Sequence, residues 1–212
     1  DLYEAEQLKP GEMRFIVYSL DAPIALSDAL PILERMGAAV HTEHPYELKL
    51  KSGRSFWIQD FHLRHESGNC VDVDLVSDRF EECFMMVLDG KAENDGLNRL
   101  ILSAELDWRE TALLRCYAKY LQQLGLPFSQ DYMEDVLVAH SDLAAALVRK
   151  FEVQFDPGLS RARRKQPKSP PPLRPLLLVA LFALALRAVV LSEREPAAMA
   201  TKSPDSSSTQ TT

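Results

Sequence analysis

The chain has 212 residues and a formal net charge of −7, and 46% of its residues are hydrophobic, which is enough apolar material for one ordinary domain or two small ones. The charge is uneven, because residues 1–157 carry 28 acidic and 15 basic side chains whereas residues 158–212 carry 3 and 9. An acidic body repels phosphate backbones, which excludes nucleic acid as an expected partner.

The start of the chain and its cysteines indicate a cytoplasmic fragment. Asp1 stands where a methionine is expected, and no apolar segment typical of a secretory signal follows it, so we expect a processed or truncated chain. Cys70, Cys83 and Cys116 are odd in number and widely spaced. This pattern predicts reduced thiols in the cytosol, with neither a disulfide framework nor a metal finger.

The first predicted elements are a strand and a helix. Residues 13–20 are rich in Ile, Val, Phe and Tyr and favour a strand. The helix that follows is expected to take Ser27 as its N-cap, Asp28 in its first turn and Gly37 as its end. Its apolar face is predicted to consist of Leu26, Leu30 and Leu33.

A hairpin and a second helix are predicted next. Residues 39–50 and 54–63 are strand-like runs around Lys51-Ser52-Gly53, as in a β-hairpin. Helical periodicity then runs from 71 to 88 through Val73, Val76, Phe80, Phe84 and Val87. The resulting β-α-β-β-α order predicts an α+β, ferredoxin-like unit. The sequence leaves its fourth strand open: missing, very short, or before Pro10.

The region after residue 91 is predicted to be helical. Asp107 and Glu110 have the spacing of a capping box. The helix that they open is expected to end at Gly125 and to bury Leu113, Tyr117, Tyr120 and Leu124. Two more helices are expected, one from Ser129 with Met133, Val136 and Leu137 inward, and one from Asp142 with Leu143, Leu147, Phe151 and Phe155 inward. Short links favour a small antiparallel bundle.

Several runs of residues carry a specific likeness. In the first half they are 26–28 (LSD), 30–34 (LPILE), 36–37 (MG), 45–47 (PYE) and 58–61 (IQDF). In the second half they are 92–100 (AENDGLNRL), 108–110 (WRE), 113–115 (LLR), Tyr117, 128–132 (FSQDY) and 155–157 (FDP). From residue 10 to 157 the chain resembles the large bacterial NAD-specific glutamate dehydrogenases.

The resemblance implies a very long polypeptide that oxidises glutamate to 2-oxoglutarate and ammonia with NAD. ACT-like regulatory domains and helical linkers would precede a dehydrogenase domain far downstream, which would bind the NAD. This chain would hold an ACT-like regulatory unit at 10–91 and a helical region at 92–157. The implied partners are the rest of the parent polypeptide, other subunits of a homo-oligomer and an amino acid effector.

No catalytic, cofactor-binding or metal residue is expected in this chain. The family's substrate-binding lysines, catalytic aspartate and dinucleotide-binding glycines have no matching positions. The sequence contains no GxGxxG turn, P-loop or GxSxG elbow. Its lysines up to residue 157 show no setting for hydride transfer: Lys9, Lys49, Lys51, Lys91, Lys119 and Lys150.

Histidine and carboxylate clusters give the remaining candidates. On a strand, His62 and His65 point to opposite faces and cannot share one ion, and the same parity excludes His41 with His44. Paired carboxylates could support acid–base chemistry, but the start of a helix and a solvated face explain them better. This acidic cluster consists of Asp72, Asp74, Asp78, Glu81 and Glu82.

Two further groups keep alternatives open. Asn94-Asp95-Gly96 is either a ligand loop or a turn in which Asn or Gly takes positive φ before Leu97. Trp108, Arg109 and Arg115 either contact another part of the parent chain or serve the core.

The tail from residue 158 differs sharply in composition, with many prolines and serines. Its apolar run at 176–191 contains Arg187 and is shorter than the roughly 18–20 residues of a membrane span, so a membrane helix is not expected. The family likeness stops at Pro157, as after a shifted reading frame in a GC-rich gene. We expect a disordered or aberrant tail outside the native fold, whose removal leaves the body folded.

Two main functions follow. The first is a regulatory and scaffolding fragment of an NAD-dependent glutamate dehydrogenase, unable to catalyse alone. The alternative is an autonomous ACT-like module that binds a small amino acid at the loop 21–27. Because no glycine-rich loop lies between Leu20 and Ser27, the first is favoured. A small membrane protein anchored by 176–191 is a third and weaker possibility.

Overall fold

The computed structural model of the chain describes residues 1–4, 9–68 and 70–155. These residues form four strands, β1 (Leu2–Tyr3), β2 (Glu12–Leu20), β3 (Ala38–Lys49) and β4 (Ser55–His65). They also form six helices, α1 (Leu26–Arg35), α2 (Val73–Leu88), α3 (Leu100–Ser103), α4 (Trp108–Gln123), α5 (Gln130–Ala139) and α6 (Ser141–Phe155). The expectations for the tail and its apolar run at 176–191 lie outside the described residues.

The four strands form one antiparallel sheet in the order β1-β2-β4-β3. The fourth strand is therefore β1, which is two residues long, precedes Pro10 and pairs Leu2 with Phe15 of β2. The backbone N–H of Leu2 donates to Oε1 of Glu81 at 2.8 Å, so α2 holds this short strand against the sheet edge.

Helices α1 and α2 cover one face of the sheet because both present apolar stripes to it. Every residue of the periodicity predicted for α2 is buried, which confirms that stripe. The Phe15 ring of β2 meets the rings of Phe80 and Phe84 nearly edge-on, at centroid distances of 5.3 and 5.0 Å. Such edge-to-face pairs add to the free energy of burial.

The predicted start of α1 is wrong by two residues. Its N-cap is Ala25, and Ser27 lies in the first turn. The buried positions of α1 are Ala29, Ile32 and Leu33, whereas Leu26 is 42% exposed. Gly37, at φ +80°, ends the helix as predicted, because it takes a left-handed conformation that other residues adopt at a cost.

The predicted capping box of α4 is confirmed, with the Asp107 side chain accepting from Glu110 N–H and the Glu110 side chain from Asp107 N–H. Its predicted stripe is wrong. The buried face consists of Thr111, Leu114, Arg115, Ala118 and Leu121, and the predicted Tyr120 and Leu124 are exposed. Because two polar residues lie on the buried face, a prediction from hydrophobic periodicity chooses a face that is rotated by about one residue from the true one.

The last two helices follow the predicted order with different burial. Ser129 is the N-cap of α5, as its hydroxyl accepts from Tyr132 N–H at 3.2 Å. In α6 the buried residues are Ala144 and Val148, and the predicted Phe155 is 55% exposed. None of the described helices is long and apolar enough to cross a membrane.

Candidate functional site

The most polar buried region of the described chain surrounds Arg115 of α4, which is 5% exposed. Its Nε and Nη2 donate to the two carboxylate oxygens of Asp95 at 2.5 and 2.8 Å, and Nη2 also donates to Oδ1 of Asn98 at 3.0 Å. Burial lowers the pKa of Arg115, but these bonds to Asp95 outweigh that effect and leave it raised. The guanidinium is therefore a permanent buried charge with a matched partner.

Two residues of α5 extend this region. Glu134, which is buried, accepts from Gly96 N–H at 3.0 Å and from Nε2 of Gln130 at 2.8 Å. The same Gln130 nitrogen lies 3.3 Å from Oδ2 of Asp95. We call these residues the Arg115 network: Asp95, Asn98, Arg115, Gln130 and Glu134.

The Arg115 network decides between the two interpretations of Asn94-Asp95-Gly96. Oδ1 of Asp95 accepts from Leu97 N–H at 3.1 Å and caps the 3-10 turn Gly96–Arg99. Neither Asn94 nor Gly96 has positive φ, so that part of the prediction is wrong. Gly96 is needed for close approach instead, because a Cβ there would lie 2.4 Å from Oε2 of Glu134. The segment is a capped turn in which Asp95 and Gly96 are engaged internally, whereas Asn94 is exposed.

Trp108 and Arg109 connect α4 to α2 within the chain. The indole Nε1 of Trp108 donates to Oε1 of Glu82 at 2.9 Å. Arg109 lies over the indole ring at 4.4 Å and reaches the same carboxylate at 3.3 Å. These contacts are structural, and they give Glu82 of the acidic cluster a role beyond a solvated surface.

The loop between β2 and α1 is held by Gln59 of β4 and by Arg54, which precedes β4. Gln59, which is 2% exposed, accepts from Ile24 N–H at 2.7 Å and donates to the Ile24 carbonyl at 3.0 Å. At the start of the loop, Asp21 has φ +72° and receives two hydrogen bonds from Arg54. The backbone groups of Ile24 are thus already bonded inside the protein.

Strand parity predicts the faces of one histidine pair correctly and of the other pair wrongly. His65 is buried and His62 lies on the opposite face, as predicted. For His41 and His44 the parity argument is wrong, because a bulge between Val40 and Thr42 shifts the register of β3. The His41 ring lies 5.5 Å from the His62 ring. Among the described residues no group of three or more His, Cys, Asp or Glu side chains is arranged to hold a metal ion.

Two open cavities lie beside α1. One, of about 220 Å³, is lined by Glu34, Arg35, Glu66, Gly96, Arg99, Asp131, Glu134 and Asp135. The other, of about 320 Å³, is lined by Ser27, Asp28, Pro31, Ile32, Val87, Leu88 and Asn94. The first is strongly acidic, and the second has Asp28 as its only charged residue, so neither offers a site for a large anion.

Comparison with known proteins matches two adjacent segments to one enzyme family. Residues 1–76 match the family described as glutamate dehydrogenase, ACT3 domain. Residues 92–157 match glutamate dehydrogenase, helical motif 3. The first segment contains the sheet and α1, and the second contains the Arg115 network.

Curated relatives agree. NAD-specific glutamate dehydrogenase of Pseudomonas aeruginosa is 45% identical over 139 residues, which is 66% of this chain and 9% of the relative. The protein of that name from Halomonas elongata is 40% identical over 156 residues, 74% of this chain and 10% of the relative. That from Mycobacterium tuberculosis is 36% identical over 138 residues.

The chain therefore spans about a tenth of the length of these relatives. Its similarity runs through both matched segments, which carry the sheet, the capped turn and the helices around Arg115. The chain belongs to the NAD-specific glutamate dehydrogenase family.

Proposed function

We propose that this chain is a regulatory and scaffolding segment of an NAD-dependent glutamate dehydrogenase, which would deaminate glutamate to 2-oxoglutarate elsewhere in the same polypeptide. The observation that supports this most is the Arg115 network. Its charged groups form hydrogen bonds within the network and hold α4 and α5 to the capped turn. A buried, internally satisfied network of this kind gives rigidity and no reacting group.

The proposal includes a finer architecture. Residues 10–91 are a ferredoxin-like, ACT-like unit in which β1 takes the place of the fourth strand, and residues 92–157 are a small antiparallel helical bundle. The strand order β1-β2-β4-β3, with α1 and α2 on one face, supports the first part. The short links between α4, α5 and α6 support the second.

The described residues do not fit NAD. A dinucleotide binds at the carboxyl ends of parallel strands, beside a glycine-rich turn, and this sheet is antiparallel throughout. The acidic cavity beside α1 would repel a diphosphate. In this proposal NAD, glutamate and the remaining partners belong to the rest of the polypeptide, and the protein works in the cytoplasm.

A replacement experiment in the Pseudomonas aeruginosa enzyme tests the scaffolding role. We expect deletion of its matching segment to abolish assembly of the enzyme, and insertion of residues 1–157 of this chain to restore it. The matched control is the same insert carrying Arg115→Met, which should not restore assembly. The proposal would be refuted if the enzyme lacking this segment assembled and oxidised glutamate normally. Glutamate-dependent NAD reduction by the purified chain alone would also refute it.

The second candidate function is binding of a small amino acid. One observation favours it: Oγ of Ser19 and Nε1 of Trp57, on the sheet face that carries Gln59, are buried and have no hydrogen-bond partner among the described residues. One observation argues against this function. An effector at the loop 21–27 would need the backbone N–H and carbonyl of Ile24, and Gln59 already bonds both.

Calorimetry on the full chain separates the two functions. We titrate a panel of amino acids into the chain and into a Gln59→Ala variant, which frees the Ile24 backbone. The scaffolding proposal expects no heat with the unmodified chain. Micromolar binding of one amino acid, lost in a Trp57→Phe variant that keeps the ring and removes the N–H, would establish the sensor function instead.

A further inference from the structure

The face of the sheet opposite α1 and α2 carries two apolar rows. Cross-strand pairing sets Tyr18, Ile58 and Tyr46 side by side in one row and Leu20, Phe56 and Leu48 in the next. The Tyr18 and Phe56 rings stack across strands at a centroid distance of 6.0 Å. We call these six residues the open-face patch, and no helix of the described residues packs on it.

The open-face patch is large for a surface feature. Tyr18, Leu20, Tyr46 and Leu48 are 50%, 45%, 52% and 51% exposed, and Phe56 and Ile58 are partly exposed. Half-exposed side chains of this size leave on the order of 500 Å² of apolar surface together. A contiguous patch of this area on a monomer is frequently functional.

The area and the chemistry of the patch both fit a second copy of it. Two such surfaces facing each other would bury roughly 1,000 Å² in total, about the smallest area of a specific interface. Both rows lack charges, so a copy of the patch matches it without burying an unpaired ion. This matters because the chain carries a net charge of −7, which makes contact through most other surfaces repulsive.

A largely buried ion pair, Arg14 with Asp60, borders the patch. Asp60 lies in the adjoining row between Ile16 and His44. Arg14 binds its Oδ2, whereas Oδ1 is buried and has no partner among the described residues. Because this oxygen is covered within its own chain, the Arg14–Asp60 pair borders the patch but offers no group for a second copy to bind.

We propose that the open-face patch is an isologous contact through which two copies of this chain pair. Each copy contributes the same residues to a two-fold interface, whose apolar centre is flanked by the Arg14–Asp60 pairs. This contact would be one of the surfaces through which the proposed scaffold binds a partner. It forms between isolated chains, so its test does not depend on the proposed role in the enzyme.

Sedimentation of the full chain over a range of concentrations and salt tests the contact. We expect a monomer–dimer equilibrium that salt strengthens, because salt screens the repulsion between two acidic bodies. Leu48→Lys places like charges at the two-fold contact, and Tyr46→Thr with Leu48→Thr removes apolar area. Each variant should weaken dimerisation about tenfold or more and leave the melting temperature unchanged at concentrations at which the chain is monomeric, where no dimer contributes to stability.

The control carries Leu75→Gln and Met85→Gln, which remove apolar area of similar exposure from α2 and should leave dimerisation unchanged. A chain that stays monomeric at all concentrations would overturn the proposal and leave the patch to another partner. A dimer that tolerates both patch variants, or that the control weakens equally, would overturn it as well.

Discussion

At the scale of single residues, Arg115 shows how a buried charge is held. Replacing it by methionine keeps most of the volume but leaves the carboxylate of Asp95 and the amide of Asn98 without their partner. Removing one member of a buried ion pair costs about 3–5 kcal/mol. We expect a loss of this size in the free energy of unfolding, measured by urea denaturation.

Arg109→Met is the matched control for Arg115→Met. The Arg109 side chain is 63% exposed and reaches Glu82 at 3.3 Å, and exposed ion pairs contribute about 0–1 kcal/mol. Equal losses from the two variants would show that the buried network contributes nothing specific.

The cysteines differ in reactivity because they differ in burial. All three thiols are free, with Cys70 and Cys116 exposed and Cys83 buried. Burial raises the pKa of Cys83 to about 12, and the thiolate is the reactive form. We expect a thiol reagent to modify Cys70 and Cys116 quickly in the native chain, and Cys83 only after unfolding. Peptide mapping of the labelled chain checks this, and rapid native labelling of Cys83 would contradict the core placement.

His65 makes the stability depend on pH. Its Nδ1 lies 2.7 Å from Oγ of Ser67, and burial lowers its pKa below the usual 6.5. As the pH falls below about 6.5 the unfolded chain takes up the proton first, so the free energy of unfolding decreases until the lowered pKa is reached. Above 6.5 the contribution is complete.

We therefore expect the urea midpoint to fall between neutral and mildly acidic pH, and to fall less in a His65→Asn variant. The asparagine oxygen can replace Nδ1 as an acceptor but does not titrate. Identical pH profiles for the two proteins would contradict this role of His65.

At the scale of elements, the rotated face of α4 gives a test of which stripe is buried. Leu114 is 1% exposed, whereas Leu113, which the sequence predicts to be inward, is only partly buried. Leu114→Ala should cost about 2–5 kcal/mol because it leaves a cavity, and Leu113→Ala should cost clearly less. Thermal melts of the two variants compare them directly, and the reverse order would restore the predicted stripe.

Local patterns predict most of the elements because their information is short-range. The strand at 13–20 and the stripe through Phe80 and Phe84 depend on neighbours along the chain and lie where the sequence indicates. No such pattern in the sequence predicts the 3-10 turn Gly96–Arg99 or α3. The turn begins at Gly96, the last residue of an Asn-Asp-Gly segment that resembles a loop, and it is stabilised by Arg115, which bonds Asp95 from 20 residues away.

The contacts of the loop 21–27, the position of His41 and the open-face patch are harder to predict, because each depends on the register between strands. The pairing of Gln59 with Ile24 spans 35 residues and exists only once β4 lies beside β2. The bulge at His41 moves a side chain that a simple alternation assigns to the other face. The open-face patch likewise needs the strand order, since its two rows draw residues from three strands.

At the scale of the whole molecule, the core crosses from one matched segment to the other. Ile101 and Leu102 of α3 belong to the same buried cluster as the sheet and α2, and Trp108 packs against that cluster. The first family match ends at residue 76, inside α2, and the second begins at residue 92. The boundary between the family segments is therefore no boundary in the packing.

One consequence of this shared core concerns how the chain comes apart. Structure that shares one core should be lost in a single all-or-none step, so we expect calorimetric and van't Hoff enthalpies of unfolding to agree. A chain cut after residue 91 would lack the α3 and Trp108 side of its core and should melt broadly or not at all. Two resolved transitions would show instead that the sheet and the helices are separate cooperative units. Each unit could then be exchanged between related proteins without the other.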